Sequence, residues 1–473
     1  MTSPRGRSVA SSFLSRSVGR RTVTGKTSAE PADAAHSAPA GKAGIQKPSI
    51  RKVSTNHEGN RVLAAVRYQH RGRCLVTSVD EWGAMFTLNA DQEALREKAL
   101  AVGRELREDG ARWDKDNYAP YREVCARMRE AGLLGLTMPT EYGGQGGSAL
   151  DYVIAVSSIL RAGQTWIGPE PLFCTTGPGA SMILLGHEGV RKKYLPQVVR
   201  GDLGCAIALT EPEHGSDLTH LEATAVLDGD EYVVNGSKAF ITGSGVNELY
   251  ATFVRFDGIP GAKGVGALVI EADRAGVTST PGPEFVGDRG IPHGDVRFEN
   301  VRVPAENLIV GAGQFGWLMS AFNMERLHNS ALCLGISEAA YDEAVTFAQT
   351  RQSFGRPIIE FQSVYHSIAD MWVKIEAQRL LAYRAGATAR EGRFPDAHDV
   401  TVAKLHGSKI MTEVTMSSLE LHGGYGVTLD YPIQRIHRDA ISSVVAGGAP
   451  AVLRNSVASM LFPDRRFSQT RNS

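Results

Sequence analysis

The sequence predicts a mainly α protein with a central β domain: a helical N-terminal domain, a β-barrel-like middle domain and a C-terminal four-helix bundle. Three observations predict it. From about residue 88 apolar residues recur at i, i+3 and i+4 with charge between them. At Cys205 the period changes to alternation. After Pro304 long apolar stripes of helical period return and run to about Leu461. The boundaries expected are 88–204, 205–305 and 306–461, with a tail before them (1–87) and another after them (462–473).

"ADQEALREKALAVGRELREDGARW" and "PYREVCARMREAGLLGLTMP" are the first two helices, the second ending in a Gly/Pro break. "EYGGQGGSALDYVIAVSSILRAG" is a glycine-rich loop followed by an apolar, buried helix, and "HEGVRKKYLPQVVRGDLG" is a short amphipathic helix stopped by Gly201. "EATAVLDGDEYVVNGSKAFIT" alternates and carries Asp-Gly and Asn-Gly, both hairpin-turn dipeptides. "ELYATFVRF", "GVGALVIEAD" and "GDVRFENVRVP" are further strands. The bundle helices are carried by "NMERLHNSALCLGISEAAYDEAVTFAQTRQSFG", "FQSVYHSIADMWVKIEAQRLLAYRAGATAREG", "DAHDVTVAKLHGSKIMTEVTMSSLELHGG" and "GAPAVLRNSVASMLF".

Composition bounds the function. A chain of 473 residues with 42% hydrophobic and 22% charged residues is that of an ordinary globular protein with two or three domains. The formal net charge is zero, so nothing draws the whole chain to nucleic acid or an anionic membrane, and no apolar run reaches the length of a membrane span. The first 74 residues are different: fourteen Lys and Arg face only Glu30, Asp33 and Glu58. This Arg- and Ser-rich segment has two readings, a disordered extension or an organelle transit peptide. The matching localisations are bacterial cytoplasm and mitochondrial matrix. Residues 1 to about 80 are expected to be dispensable for folding. Five scattered cysteines (Cys74, Cys125, Cys174, Cys205, Cys333) show no metal or disulfide spacing and fit a reducing compartment.

One helix raises a chemical question. In "FNMERLHNSALCLG", Glu325 shares a helical face with His328, Asn329 and Leu332, while Arg326 points elsewhere. A helical carboxylate is most often solvated or ion-paired. The strings elsewhere in the chain change that balance. "ALTEPEHGSDLTHLEATAV" with "GDEYVVNGSKAFITGSG" resembles the flavin-binding signature of the acyl-CoA dehydrogenases. "VRVPAENLI", "RQSFGRPIIEFQSVYHSIADM" and "LHGGYGVTLDYPIQRIHRDA" resemble the same family in the same order and spacing, over about residues 90 to 461.

The resemblance implies an enzyme that uses FAD to remove two hydrogens from an acyl-CoA thioester: a carboxylate takes the α-proton and the β-hydrogen leaves as hydride to the flavin. It implies FAD contacts at Thr210, Ser216, Phe240 and Thr242, with Ser216 also near the CoA arm and Phe240 where the family usually has Trp. Arg351, Ser353 and Phe354 of "RQSFG" and Gln362 resemble residues that reach the FAD of a neighbouring subunit, so a homotetramer is implied. Gly423 and Gly424 of "ELHGG" match a close approach to FAD, and Glu420 stands where the family more often has Gln. Arg326 and Gly448 match positions beside the substrate. The implied electron acceptor is electron-transfer flavoprotein.

The usual acid of the family is missing. Many members carry it shortly after an "R-D-A" string, where this chain has "RDAISSVVAGGAPAVLR" with Gly447 at the place. Isovaleryl-CoA and long-chain acyl-CoA dehydrogenases lack the same acid and carry Glu one step before Arg on the earlier helix, which "MERL" matches, so Glu325 is implied as the α-proton base. The Gly447 N–H is implied as a donor to the thioester carbonyl. Ala449 and Ala451 replace side chains that often contact FAD, Pro450 removes an N–H, and Ala446 leaves one pocket wall small. A flavin oxidase of the same fold and a degenerate partner subunit stay open as alternatives, as does a carrier-protein thioester in place of CoA.

Overall fold

The computed structural model describes residues 87–389, 394–465 and 467. The expectations for the N-terminal tail, and Cys74 with them, lie outside the described residues, as does most of the closing tail.

Six helices come first: α1 (Ala90–Asp116), α2 (Tyr121–Glu130), α3 (Ala149–Gly163), α4 (Glu170–Thr175), α5 (Pro178–Leu185) and α6 (Glu188–Val199). The first and third start on reciprocal caps. Gln92 N donates to Asn89 Oδ1 at 2.9 Å and Asn89 N returns a bond to Gln92 Oε1; Ser148 and Asp151 do the same for α3. Every residue of α3 from Tyr152 to Leu160 is buried, as its all-round apolar sequence requires. Helices α4 and α5 are not foreseen by the pattern, because "GPEPLFCTTGPGASM" reads as a loop. Complete burial of 170–175 and 178–183 supplies what propensity lacks, and the prolines fall in first turns, where they cost little.

The middle of the chain forms β1 (Cys205–Ala208), β2 (Thr224–Asp228), β3 (Glu231–Thr242), β4 (Leu249–Phe256), β5 (Val265–Glu271), β6 (Val277–Pro281), β7 (His293–Pro304) and β8 (Leu308–Val310). Their order is β6-β7-β3-β2-β4-β5-β8, with β1 parallel to β4. The Asp-Gly dipeptide makes the β2–β3 hairpin, pairing Asp228 with Glu231. Asn235-Gly236 is not a turn. It lies inside β3 as an irregularity against β7, with Gly236 at φ +142°, and a Cβ there would stand 2.5 Å from Ala223 Cα.

The chain ends in α7 (Phe315–Ala321), α8 (Asn323–Thr350), a small hairpin of β9 (Gln352–Ser353) and β10 (Arg356–Pro357), α9 (Gln362–Ala387), α10 (Ala397–His422), α11 (Pro432–Ser443) and α12 (Pro450–Leu461). Helix α8 packs on α9, α10 and α11 and also on α3. One continuous core therefore runs from Leu106 and Tyr152 through Leu327 and Leu332 to Ile375, Met411 and Ile436. The order of helices, sheet and helices is the one the sequence predicts. It places the first turn of α8, which carries Glu325, against both helical regions. Among the described residues no helix is long and apolar enough to cross a membrane.

Candidate active site

Glu325 is fixed by one oxygen. Asn329, one turn along α8, donates Nδ2 to Glu325 Oε1 at 3.0 Å and to the Glu325 carbonyl at 2.8 Å. Glu325 Oε2 is buried with no hydrogen-bond partner. Burial raises the carboxyl to about 7; the Asn329 bond and the Lys404 and Arg326 charges oppose that rise. Arg326 turns away and donates to Asn323 Oδ1 at 3.3 Å, with its Nε buried and unpartnered. His328, on the same face, is excluded as a proton carrier near neutrality: burial drives it down to about 3, and its Nδ1 lies 2.8 Å from Tyr152 Oη.

Gly447 comes to the same place from the other end of the bundle. It takes φ +64°, and a Cβ at this position would lie 2.7 Å from Asn329 Nδ2. The structure thus brings Glu325, Asn329 and Gly447 together, with Gly448 next in the turn. Pro450 is the first residue of α12, a position whose N–H has no partner within the helix, so the ring costs the turn little.

The residues matched to flavin contacts form a second group, around β3. Thr210 accepts a backbone bond from Ala239 at 2.8 Å. Lys238, fully buried, donates Nζ to Glu211 Oε1 at 2.7 Å and to Leu209 O at 3.1 Å, while Glu211 also accepts the N–H groups of Glu222 and Ala223. This buried pair pins the "TEPEHGSD" segment to β3 immediately before Phe240. The β3–β7 register breaks between Lys238 and Ile241, and Phe240 takes φ +58°. The break turns the ring outward, leaving it 50% exposed. Thr242 follows, half-buried and opposite His293, and Ser216 is exposed on the loop.

A third group gathers around the end of α8. The Arg351 guanidinium lies over the Tyr425 ring at 5.4 Å, and a cavity of about 240 Å³ opens between Glu343, Phe347, Arg351, His422, Tyr425 and Tyr431. Phe354, at the tip of the β9–β10 hairpin beside Ser353, is 94% exposed. Gln362 and Glu420 are exposed too. Gly424 has an ordinary backbone, and nothing lies within 4 Å of the point a Cβ would occupy, so the fold of this chain does not itself require glycine there. No hydrogen bond joins this third group to Thr210 or Phe240 among the described residues.

Two buried groups escape sequence reasoning. Lys404 on α10 donates to the carbonyls of Val444 and Gly448. Glu170 on α4 is buried with the Cys174 thiol 3.7 Å from its Oε1. Burial, and next the charge of Glu325, raise Glu170 to about 8. The folded protein therefore binds this proton more tightly than the unfolded chain, and its contribution to stability falls as pH rises from the ordinary carboxyl range to about 8. Glu170→Gln is expected to be more stable than wild type at pH 8, on the order of 1–4 kcal/mol, with the difference smallest near pH 5. Denaturation at both pH values checks this; an equal difference at both contradicts it.

Known proteins share this fold. Residues 89–202 match the acyl-CoA dehydrogenase N-terminal domain, 206–301 the middle domain and 314–462 the C-terminal domain. The chain is 34% identical over 381 residues to the short-chain-specific acyl-CoA dehydrogenase of Clostridium acetobutylicum, covering 80% of this chain and 99% of that protein. It is 32% identical over 397 residues to a 3-sulfinopropanoyl-CoA desulfinase of Paraburkholderia xenovorans, covering 82% of this chain and 100% of that one. Among solved structures, butyryl-CoA dehydrogenase from Megasphaera elsdenii superposes with a TM-score of 0.76 at 30% identity, over 80% of this chain and 99% of that one. With three consecutive domain matches on the helix–sheet–helix order described above, the chain belongs to the acyl-CoA dehydrogenase family of oxidoreductases.

Proposed function

We propose that the protein oxidises the α,β-bond of an acyl-CoA, or of a carrier-protein thioester with the same pantetheine arm, with FAD as its cofactor and Glu325 as the α-proton base. The observation that carries this reading is the state of Glu325: one oxygen held by Asn329, the other buried and unpartnered, and the carboxyl poised at about 7. Oε2 takes the α-proton as the α C–H bond breaks, and Asn329 keeps the carboxyl from rotating. The Gly447 N–H stabilises the charge that grows on the thioester oxygen. Arg326 offers its guanidinium to the anionic arm of the substrate.

The residues present fit FAD. Phe240 presents an outward ring face, Thr210, Thr242 and Ser216 offer hydroxyls, and Arg351 offers a cation beside the open Gly424. When bound, FAD supplies the acceptor for the β-hydrogen, which leaves with its electron pair. That no hydrogen bond joins the Arg351 group to the Phe240 group among the described residues, with Phe354 exposed, supports a site completed by a neighbouring subunit, hence a homotetramer. The exposed Phe354, Val373 and Leu429 supply apolar surface for assembly. Electron-transfer flavoprotein is the proposed acceptor.

The test is anaerobic titration of the purified protein with a panel of acyl-CoAs. Bleaching of the flavin by at least one of them is expected; a protein that binds FAD and is reduced by none overturns the reading. Arg351→Ala is expected to weaken FAD retention roughly ten- to a hundredfold, the worth of one charge-assisted contact. FAD content after gel filtration measures it, and a monomer that keeps its flavin tightly contradicts the shared site.

A further inference from the structure

Lys404 is fully buried in the middle of α10. Its Nζ donates to Val444 O at 2.7 Å and to Gly448 O at 3.0 Å. Those two carbonyls bracket the turn that carries Gly447. No carboxylate oxygen lies within 4.0 Å of Nζ among the described residues. A buried ammonium without a counter-ion is costly, and an apolar side chain of similar length would fill the same space more cheaply. The arrangement makes sense when the turn and its neighbours need the donors and the charge.

We propose that Lys404 is a positioning residue for proton abstraction: it staples both ends of the 444–448 turn, so that Gly447 stays against Asn329 and Glu325. The chain of contacts is continuous. Lys404 holds the carbonyls of Val444 and Gly448; a Cβ at Gly447 would stand 2.7 Å from Asn329 Nδ2 and displace it; and Asn329 donates to Glu325 Oε1. The titratable groups around Glu325 come from four helices; Lys404 and Arg326 lower it, and its own charge raises Tyr152 and Glu170. Its own helix contributes Arg326 and the neutral His328, α3 contributes Tyr152, α4 contributes Glu170, and α10 contributes Lys404. Of these only Lys404 and Arg326 are cations. Burial lowers Lys404 itself to about 8, with Cys333 and Glu325 pulling it back up and Arg326 pushing it further down, so it stays mostly charged at neutral pH. Without Lys404, burial acts on Glu325 with one cation, Arg326, left to oppose it.

The rate arm of the test rests on the proposed oxidation; the titration arm does not. Lys404→Met and Lys404→Gln are prepared as FAD-loaded full chains. The rate of flavin reduction by an acyl-CoA that reduces wild type is followed against pH by stopped flow. Separately, the Glu325 titration is read from its carboxyl band in infrared difference spectra against Glu325→Gln. The expected result for Lys404→Met is a limiting rate lowered roughly ten- to a hundredfold, the cost of a misplaced donor. Its midpoint should move to higher pH, by about one unit. Lys404→Gln, which keeps an amide NH2 donor but no charge, is expected to show the same midpoint shift with a smaller loss of rate. It carries the test if the Met variant does not fold. A limiting rate within about twofold of wild type on a superimposable pH profile overturns the proposal and leaves Lys404 as a space-filling residue. If no acyl-CoA reduces wild type, the proposed oxidation fails, while the infrared midpoint still decides the role of Lys404.

Discussion

Glu325→Gln is expected to bind FAD and acyl thioester normally and to reduce its flavin about a hundred- to ten-thousandfold more slowly than wild type. The size of the effect follows from what the substitution keeps and removes. The glutamine carbonyl still accepts from Asn329 Nδ2, so the rotamer and the packing of α8 survive. The second oxygen, buried and unpartnered, becomes an amide that cannot take a proton. Stopped-flow bleaching of the flavin measures the loss, and a near wild-type rate would make Glu325 structural. Wild type should carry the complementary signature. Its base works only when ionised and has been raised to about 7, so the rate should fall about tenfold per pH unit below that point and level off above it.

Moving the acid back to the place where other family members keep it should fail. Gly447→Glu in the Glu325→Gln background is expected to stay inactive, and Gly447→Ala alone should lower the rate by roughly a hundredfold. The backbone at Gly447 is left-handed, which costs a side-chain-bearing residue about 1–2 kcal/mol. The more serious obstacle is Asn329: a new Cβ would stand 2.7 Å from its amide nitrogen and push aside the group that orients Glu325. Pro450 starts α12 without evident strain. Flavin content and bleaching rate of the three variants check the expectation. Activity in the double variant would mean that the turn can be rebuilt around a carboxylate.

The fold was legible because its signals are local. Apolar period, an Asp-Gly turn and short family strings each occupy a few consecutive residues, and the structure carries helices and strands where they fall. Signals that depend on distant partners were not legible. "TVAKLHGSK" reads as any amphipathic helix, and nothing in it says that Lys404 reaches carbonyls 40 and 44 residues away. Glu170 lies in a segment whose Gly and Pro content reads as loop and whose helices exist through burial. Asn-Gly misleads because the same freedom that makes a turn also makes a bulge, and only the approach of Ala223 decides between them. Glu325 itself could be named from "MERL", but not the two states of its oxygens, which depend on Asn329 and on everything packed around it.

The exposed Phe354 and the open Gly424 have a thermodynamic consequence. Under the proposed shared site, each flavin touches two chains, so cofactor affinity and subunit association become one linked equilibrium. The factor by which assembly tightens FAD is the factor by which FAD tightens assembly. Dilution should then strip flavin even at fixed free FAD, and added FAD should rescue dissociated chains. A substitution in the hairpin should act on both at once, weakening oligomers in proportion to the flavin they lose.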